Sequence, residues 1–413
     1  MECRVCSSAR LEQFLDLGDQ PHCDSLLRPE DLSRREPFYP LQVSFCHDCT
    51  AVQITYTVPK EKMFGEYLYV SGTTQTLRTH FQESADRLVS RLGLRPGDLV
   101  VDIGSNDGTW LACYAKHGLR ILGVDGARNL AEMANARGIE TWARFFNADV
   151  ARDIIAAKGR AKLVTAAGVF FHLEELHSVT AGIAELIREG GVFCVQAISL
   201  AEMVKFTQFD QVYHEHLTYW TVKSLDRLFA LHGLEIFSAA RLSIHGGSVE
   251  LLVAPKGARP IEPSVAEMRA AEQALGCDRI ETYRAFAGRV WEIERKLMGT
   301  LRAYAAQGKK VYAFGAPAKG ATLLNSFHVT PALVQCAVEV NPLKIGKYIP
   351  GARIPIVDQE KTAPPDAYLI LAWNFLKEFL QKQKDYILGG GQFIVPIPTP
   401  VVIDKKNYAE YAR

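Results

Sequence analysis

At 413 residues, with 48% hydrophobic and 10% aromatic side chains, the chain is long enough for two or three packed domains and is neither disordered nor fibrous. Its 47 Lys and Arg balance 46 Asp and Glu, which leaves no bulk field for a polyanion and argues against a nucleic-acid or anionic-membrane partner. No apolar run reaches the roughly 18 residues of a membrane span, and Met1–Cys6 has nothing of a secretory leader, so the expected setting is the cytoplasm.

Residues 1–57 read as a small, loop-rich module carrying Cys3-x-x-Cys6 and Cys46-x-x-Cys49. Nine cysteines are an odd number, and the other five are scattered, which is not the layout of a disulfide framework. Four thiolates in two tight pairs suit the tetrahedral geometry of zinc, and a closed four-sulfur site has no open position for substrate. The zinc is therefore expected to be structural, its binding energy serving as folding energy for a module with little apolar content. Cys23, beside His22, is a spare candidate ligand or a small core residue.

From residue 58 to 262, apolar runs alternate with helix-length spacers. Leu99–Asp102, Ile121–Val124, Leu163–Ala166 and Gly191–Val195 are predicted strands of a parallel sheet, and residues 245–253 close the unit as a hairpin or edge strand. The first strand runs into Asp102-x-Gly104-x-x-x-Gly108, where glycine lets the backbone bend and approach a ligand that a β-carbon would exclude. Asp125 ends the next strand, at the distance where such a fold grips a ribose diol. The loop lacks a Gly-x-Gly-x-x-Gly phosphate fingerprint, and Asp102 places an acid where a pyrophosphate wants bare amides. A cationic sulfonium donor, S-adenosylmethionine, fits better than a nicotinamide dinucleotide, whose oxidoreductase chemistry is the competing reading. Asn106 and Asp107 either reach the donor's amino-acid tail or cap the following helix. The plain alternative is a tight strand-to-helix turn.

Residues 263–413 begin with a stretch to Gln307 that reads as one or two helices. Alternation then resumes, with Lys310–Gly315, Val334–Glu339, Ala367–Ala372 and Gly391–Pro396 as strands of a second, smaller doubly wound unit.

Taken in order, Cys3–Cys6, Phe14–Pro21, the second cysteine pair, Tyr67-x-Tyr69, the cofactor loop, Tyr213-His214-Glu215-His216, His245–Ser248 and Gly315–Gly320 follow the arrangement seen in bacterial sugar C-methyltransferases, which the chain resembles over nearly its whole length. Those enzymes act on thymidine-diphosphate-linked 4-keto sugars of antibiotic pathways. The resemblance implies an α/β architecture of three parts: an N-terminal zinc-binding domain, a class I S-adenosylmethionine methyltransferase core of Rossmann type, and a C-terminal Rossmann-like domain for the nucleotide sugar. It also implies methylation at C-3 beside a C-4 ketone, with a histidine base at His216. Supporting roles fall to His172, Glu215, Tyr213 and one of Tyr67 and Tyr69, and His245 is placed with the substrate.

A carbon beside a ketone becomes nucleophilic only when it loses a proton, so this reaction needs a base and something to hold an enolate oxygen. An imidazole with an ordinary pKa of about 6.5 accepts that proton near neutral pH. Glu215 would then orient sugar hydroxyls, while Tyr213, Tyr67 or Tyr69, and His172 would donate to the enolate. His172 could equally be a satisfied core histidine. On an extended strand His214 and His216 would share a face, which keeps a metal reading of the triplet open. Gly315, the helix amides and Lys319 would cradle the phosphates, and Glu339 and Asn341 would meet the nucleoside. An O- or N-methyltransferase keeps the donor and changes the acceptor. A zinc-containing nucleic-acid-binding protein is the reading from another class. The expected partner is a nucleotide sugar, with the chain a monomer or weak oligomer.

Overall fold

The computed structural model describes residues 1–412, His245 without its side chain. Strands β1 (Leu11–Gln20), β2 (Tyr39–Cys46) and β3 (Val52–Ile54) pair antiparallel at the N-terminus, with alternate positions such as Leu15 and Leu17 turned inward. This sheet is not confined to residues 1–57. Its fourth strand is a two-residue segment, Thr218–Tyr219, that pairs Val52 with Tyr219 and Gln53 with Thr218.

The central sheet takes β4 (Leu99–Ile103), β5 (Arg120–Asp125), β6 (Thr141–Ala143), β7 (Leu163–Ala167) and β8 (Val192–Ile198); the Thr218–Tyr219 strand counts as β9, and β10 (Leu234–Leu242) and β11 (Ser248–Pro255) complete it. Its order is β10-β11-β8-β7-β4-β5-β6, parallel from β6 to β8 and antiparallel at β11 and β10. Every residue of β4 and β8 is buried, which is why both read as continuous apolar runs: helices cover the two faces. The expected closing hairpin is present, but β11 is an inner strand, inserted between β8 and β10, rather than an edge.

Helices Pro263–Ala274 and Ile280–Ala306 lead to a third sheet of β12 (Val311–Phe314), β13 (Ala337–Glu339), β14 (Ile356–Asp358), β15 (Ala367–Ile370), β16 (Gln392–Val395) and β17 (Val401–Ile403). Its order is β14-β13-β12-β15-β16-β17, parallel except for β17. In both parallel sheets the order reverses beside the first strand, β4 or β12, and crevices outside the strand C-termini at such points are where ligands bind. No helix among the described residues is long and apolar enough to cross a membrane.

One apolar core runs through all three sheets. The long helix joins it through Tyr283, whose ring lies 5.1 Å from Phe14 and 5.2 Å from Phe45, while its hydroxyl donates to the Cys277 carbonyl at 2.6 Å. Helix Ala318–Ser326 docks from the other side: Gln20 Nε2 donates to Ser326 Oγ at 2.7 Å, and Thr322 Oγ1 to the Val212 carbonyl at 3.0 Å. Tyr283→Ala should cost about 3–5 kcal/mol through the cavity it leaves, seen as a lower denaturation midpoint, whereas Tyr283→Phe should cost only about 1 kcal/mol for the lost hydrogen bond.

Candidate active site

The turn at residues 4–6 and the turn after β2 bring the two cysteine pairs together, with Cys3 Sγ 3.4 Å from Cys49 Sγ and Cys6 Sγ 3.6 Å from Cys46 Sγ. All four sulfurs lie within 4.8 Å of one another. Zinc–sulfur bonds of about 2.3 Å put tetrahedral neighbours about 3.8 Å apart, so the donor set and its spacing fit a closed zinc site.

The second cluster forms at the C-terminal ends of β4 and β5. Gly104 has φ +65, and a β-carbon there would meet Val169 Cγ2 at 2.3 Å, so the bend admits only glycine. Asp125 is pinned by two backbone amides, Asn106 N–H to Oδ2 at 2.7 Å and Ala127 N–H to Oδ1 at 2.8 Å. Asp102 is buried, accepts from Thr165 Oγ1 at 2.6 Å, and is pushed up to about 7 by burial despite that bond. With Gly104, Ser105, Asn106, Trp110, Ser71, Phe81 and Ala167 it lines a narrow recess. Ser105 Oγ and Trp110 Nε1 have no hydrogen-bond partner within the protein, which leaves polar atoms available at that recess.

Of the two residues expected near the donor's tail, Asn106 is a strap and Asp107 a buttress. Asn106 accepts from Ser71 N–H at 2.9 Å and donates to the Tyr69 carbonyl at 3.0 Å, tying the 67–73 segment over the loop. Asp107 accepts from Thr109 N–H and Oγ1 and pairs with Arg137 at 2.8 Å. That commits Asp107 to the helix start, the capping alternative. Gly108, with φ +75, packs where a β-carbon would meet Ile139 at 2.8 Å.

The histidine segment lies across the ends of β7 and β3. His216 directs Nδ1 at the Gln211 carbonyl, 2.8 Å away; a carbonyl only accepts, so Nδ1 carries the hydrogen and Nε2 is the basic nitrogen of the neutral ring. Tyr213 stacks on that ring at 3.9 Å between centroids, and Phe171 and His172 flank it at 4.5 and 5.1 Å. His172 directs Nδ1 at the Glu215 carbonyl at 2.6 Å, and burial pushes it down against the pull of the Glu215 charge and of its backbone bonds to Glu215 and Gly168. His214 turns away, with Nε2 against the carbonyls of Tyr39 and Pro40 at 3.2 and 3.3 Å and burial pushing it down to about 4. The two histidines therefore do not converge on a metal.

Glu215 is 1% exposed, and its Oε2 accepts from Tyr67 Oη at 2.9 Å. The structure thus separates the two tyrosines: Tyr67 joins the cluster, while Tyr69 is 43% exposed. Burial, with the charge of Glu215, pushes the Tyr67 and Tyr213 phenols well above their ordinary values, so both remain protonated. The end of β1 adds residues the sequence reading passed over or left as a spare ligand. His22 Nε2 sits 3.1 Å from Glu215 Oε1, and Cys23 Sγ lies 3.7 Å from the same oxygen. Burial pushes His22 down but the facing carboxylate outweighs it, so the net shift is upward and the pair calls for positive charge. Asp24 is pushed up to about 6 by burial and the Glu215 charge, against the pull of Lys344, whose Nζ donates to the Ala316 carbonyl at 2.8 Å. The only sequence signal was three adjacent polar residues just past an apolar strand.

The third sheet repeats the device of the second. Gly104 N–H donates to the Val124 carbonyl at 2.7 Å, and Gly315 N–H to the Val338 carbonyl at 2.9 Å. Where Asp125 takes the Asn106 amide, Glu339 Oε2 takes that of Ala316 at 3.1 Å, and its Oε1 takes those of Val340 and Asn341. Asn341 folds onto its own turn through Leu343 N–H at 3.0 Å. Lys319 is not poised over bare amides: its Nζ donates to Asn374, lies 4.0 Å over the Trp373 ring, and is pushed down to about 8 by burial against the pull of Asp210. His245 lies outside the described side chains.

Three family models match the chain in succession: "Putative zinc binding domain" over residues 3–64, "Methyltransferase domain" over residues 77–239 and "C-methyltransferase C-terminal domain" over residues 243–398. The protein is a methyltransferase with a four-cysteine zinc module ahead of its core. More narrowly, the chain belongs to the C-methyltransferase family: it is 38% identical to C-methyltransferase NovU of Streptomyces niveus over 409 residues, 98% of this chain and 97% of that one. Among solved structures, magnesium protoporphyrin IX methyltransferase ChlM of Synechocystis PCC 6803 aligns over 47% of this chain and 88% of its own, at TM-score 0.33 and 16% identity. The PH0226 protein of Pyrococcus horikoshii OT3 aligns over 46% and 95%, at TM-score 0.37 and 15% identity.

Cys46→Ser should release one equivalent of zinc per chain, read by elemental analysis, and loosen the N-terminal sheet. Retention of full metal content would contradict the four-thiolate site.

Proposed function

We propose that the protein uses S-adenosylmethionine to methylate C-3 of a nucleotide-linked 4-keto sugar, with His216 as the base. The observation that carries this is the tautomer fixed at His216: the Gln211 carbonyl takes the Nδ1 hydrogen, which directs basicity to Nε2 in a ring stacked on a protonated phenol. Family membership supports carbon as the acceptor atom. On this reading residues 1–57, 58–262 and 263–413 are the zinc-binding, donor-binding and nucleotide-sugar-binding parts.

The donor, when bound, supplies an electrophilic methyl already activated by positive charge on sulfur, and no metal is needed for that activation. Asp125, held in place by two amides, takes the ribose diol, and Asp102 faces the cationic tail across the recess. His216 Nε2 removes the proton beside the ketone, and the electron pair left on carbon moves into the enolate. Tyr213, protonated and against the base, donates to the enolate oxygen, which is worth several kcal/mol in a dry site. Tyr67 is held by Glu215 and accepts from, or orients, a ring hydroxyl, and His172, beside the base, donates to the enolate oxygen. The carbon then takes the methyl as the carbon–sulfur bond breaks, and the proton stays on the imidazole until solvent removes it. Glu339, in the position that Asp125 holds in the central sheet, takes the ribose of the sugar nucleotide.

His216→Asn should keep donor affinity and lower turnover about 10²- to 10⁴-fold, the usual contribution of a positioned base. Wild-type protein without donor should exchange the C-3 proton of the keto sugar with deuterated water, and the variant should not; unchanged exchange or turnover would remove His216 from this role. A second expectation concerns pH. Asp102 titrates at about 7 and must be ionised to meet a cation, so donor affinity should fall as pH drops from 7 to 5, approaching about tenfold per pH unit. Asp102→Asn should bind more weakly at pH 7.5 and lose that part of the slope, as measured by calorimetry.

A further inference from the structure

Beyond the four-cysteine cluster, a second set of metal-binding atoms converges from two distant parts of the chain. His22 Nε2, Cys23 Sγ and a Glu215 carboxylate oxygen all lie within 4.8 Å of one another. Nε2 stands 3.1 Å and Sγ 3.7 Å from Oε1. Bonds of about 2.0–2.1 Å to nitrogen and oxygen and about 2.3 Å to sulfur put tetrahedral neighbours about 3.3–3.5 Å apart, bracketed by those two values. The scale is that of the zinc cluster itself, 3.4 and 3.6 Å.

The surroundings are those of a ligand set more than of a salt bridge. His22, Cys23 and Glu215 are 8%, 4% and 1% exposed. His22 Nε2 faces the Glu215 carboxylate oxygen at 3.1 Å, a separation that suits an ion pair and the edge of a metal site alike. Each non-ligating atom is held: His22 Nδ1 by Ser25 Oγ at 3.1 Å and Glu215 Oε2 by Tyr67 Oη at 2.9 Å. Such outer partners fix the orientation of metal-bound imidazoles and carboxylates. A buried imidazole nitrogen and a buried carboxylate oxygen that share one positive charge, with a thiol beside them, can take a metal cation in place of the proton.

We propose that His22, Cys23 and Glu215 form a second site for a divalent transition metal, most suitably zinc. One nitrogen, one sulfur and one oxygen ligand suit a borderline-soft ion, and loading it displaces the Cys23 thiol proton to solvent. Three protein ligands leave one position for water or an oxygen of the acceptor, in contrast to the closed four-thiolate site. The site goes beyond the proposed reaction and does not depend on it: the sugar, the base and C-3 regiochemistry could all be otherwise and the ion would still bind.

The test uses the full chain, loaded with zinc and freed of excess. Elemental analysis should give two equivalents per chain, and His22→Gln/Cys23→Ser should give one. Cobalt substitution separates the two sites spectroscopically: the double variant should lose a weaker one-thiolate charge-transfer band and keep the intense bands of the four-thiolate site, which also shows that the module is folded. One equivalent in the unsubstituted protein, or two in the double variant, would overturn the proposal.

Discussion

The pairing of β3 with the two-residue strand Thr218–Tyr219 is the joint on which the rest of the molecule depends. Leu217, between His216 and that strand, gives its N–H to the Phe171 carbonyl at 2.8 Å and its carbonyl to Ile54 N–H at 3.1 Å. It is thereby bonded to the zinc module on one side and to the end of the central sheet on the other. Three residues of backbone thus hold His216, His172 and the zinc-stapled sheet in one register. A closed metal site far too saturated for chemistry still bears on the candidate site, because the sheet it stabilises is the one bonded to the segment that carries His216.

The same economy governs the two parallel sheets. In each, a glycine after the first strand donates to the carbonyl near the end of the second, and the acid ending that second strand accepts an amide from the glycine loop. Such an acid is fixed in place by the amides it accepts, and it retains lone pairs for a diol. The difference lies downstream. The central loop opens on a recess lined with polar atoms that have no partner within the protein. Behind the C-terminal loop, Lys319 is instead absorbed by Trp373, Asn374 and Asp210, and Lys344 takes the position beside the loop. A lysine at the start of a helix is a weak sign of phosphate binding when aromatic and acidic side chains stand ready to take it.

Much of this was legible in the order of residues, and the limits were physical. Buried parallel strands such as Leu99–Ile103 announce themselves because both faces are covered. Of the strands that escaped, Thr141–Ala143, Ile356–Asp358 and Val401–Ile403 are three-residue edges with little room for a pattern, while β1 and β2 lie in the module read as loop-rich, where register shifts break the alternation of β1. The glycine loop with its following acid was readable because the device is local. The choice between Tyr67 and Tyr69 was not, since residues two apart on extended backbone share a face and only the strap from Asn106 turns one inward. Least legible was the meeting of His22 and Cys23 with Glu215, which depends on the whole N-terminal sheet folding against the core.

The histidines show why composition alone does not assign chemistry. His172, His214 and His216 each spend one ring nitrogen on a backbone carbonyl, of Glu215, of Tyr39 and Pro40, and of Gln211 respectively. The carbonyl does more than anchor the ring, because it dictates which nitrogen stays basic. In His214 the bonded atom is Nε2, so the distal nitrogen is consumed and the ring serves only to fasten β2 to the core. In His172 and His216 it is Nδ1, on two rings 5.1 Å apart. Two identical imidazoles separated by one residue are thus distinguished by the main-chain oxygens around them, one anchored through Nε2 and the other through Nδ1, and placing those oxygens is the work of the fold.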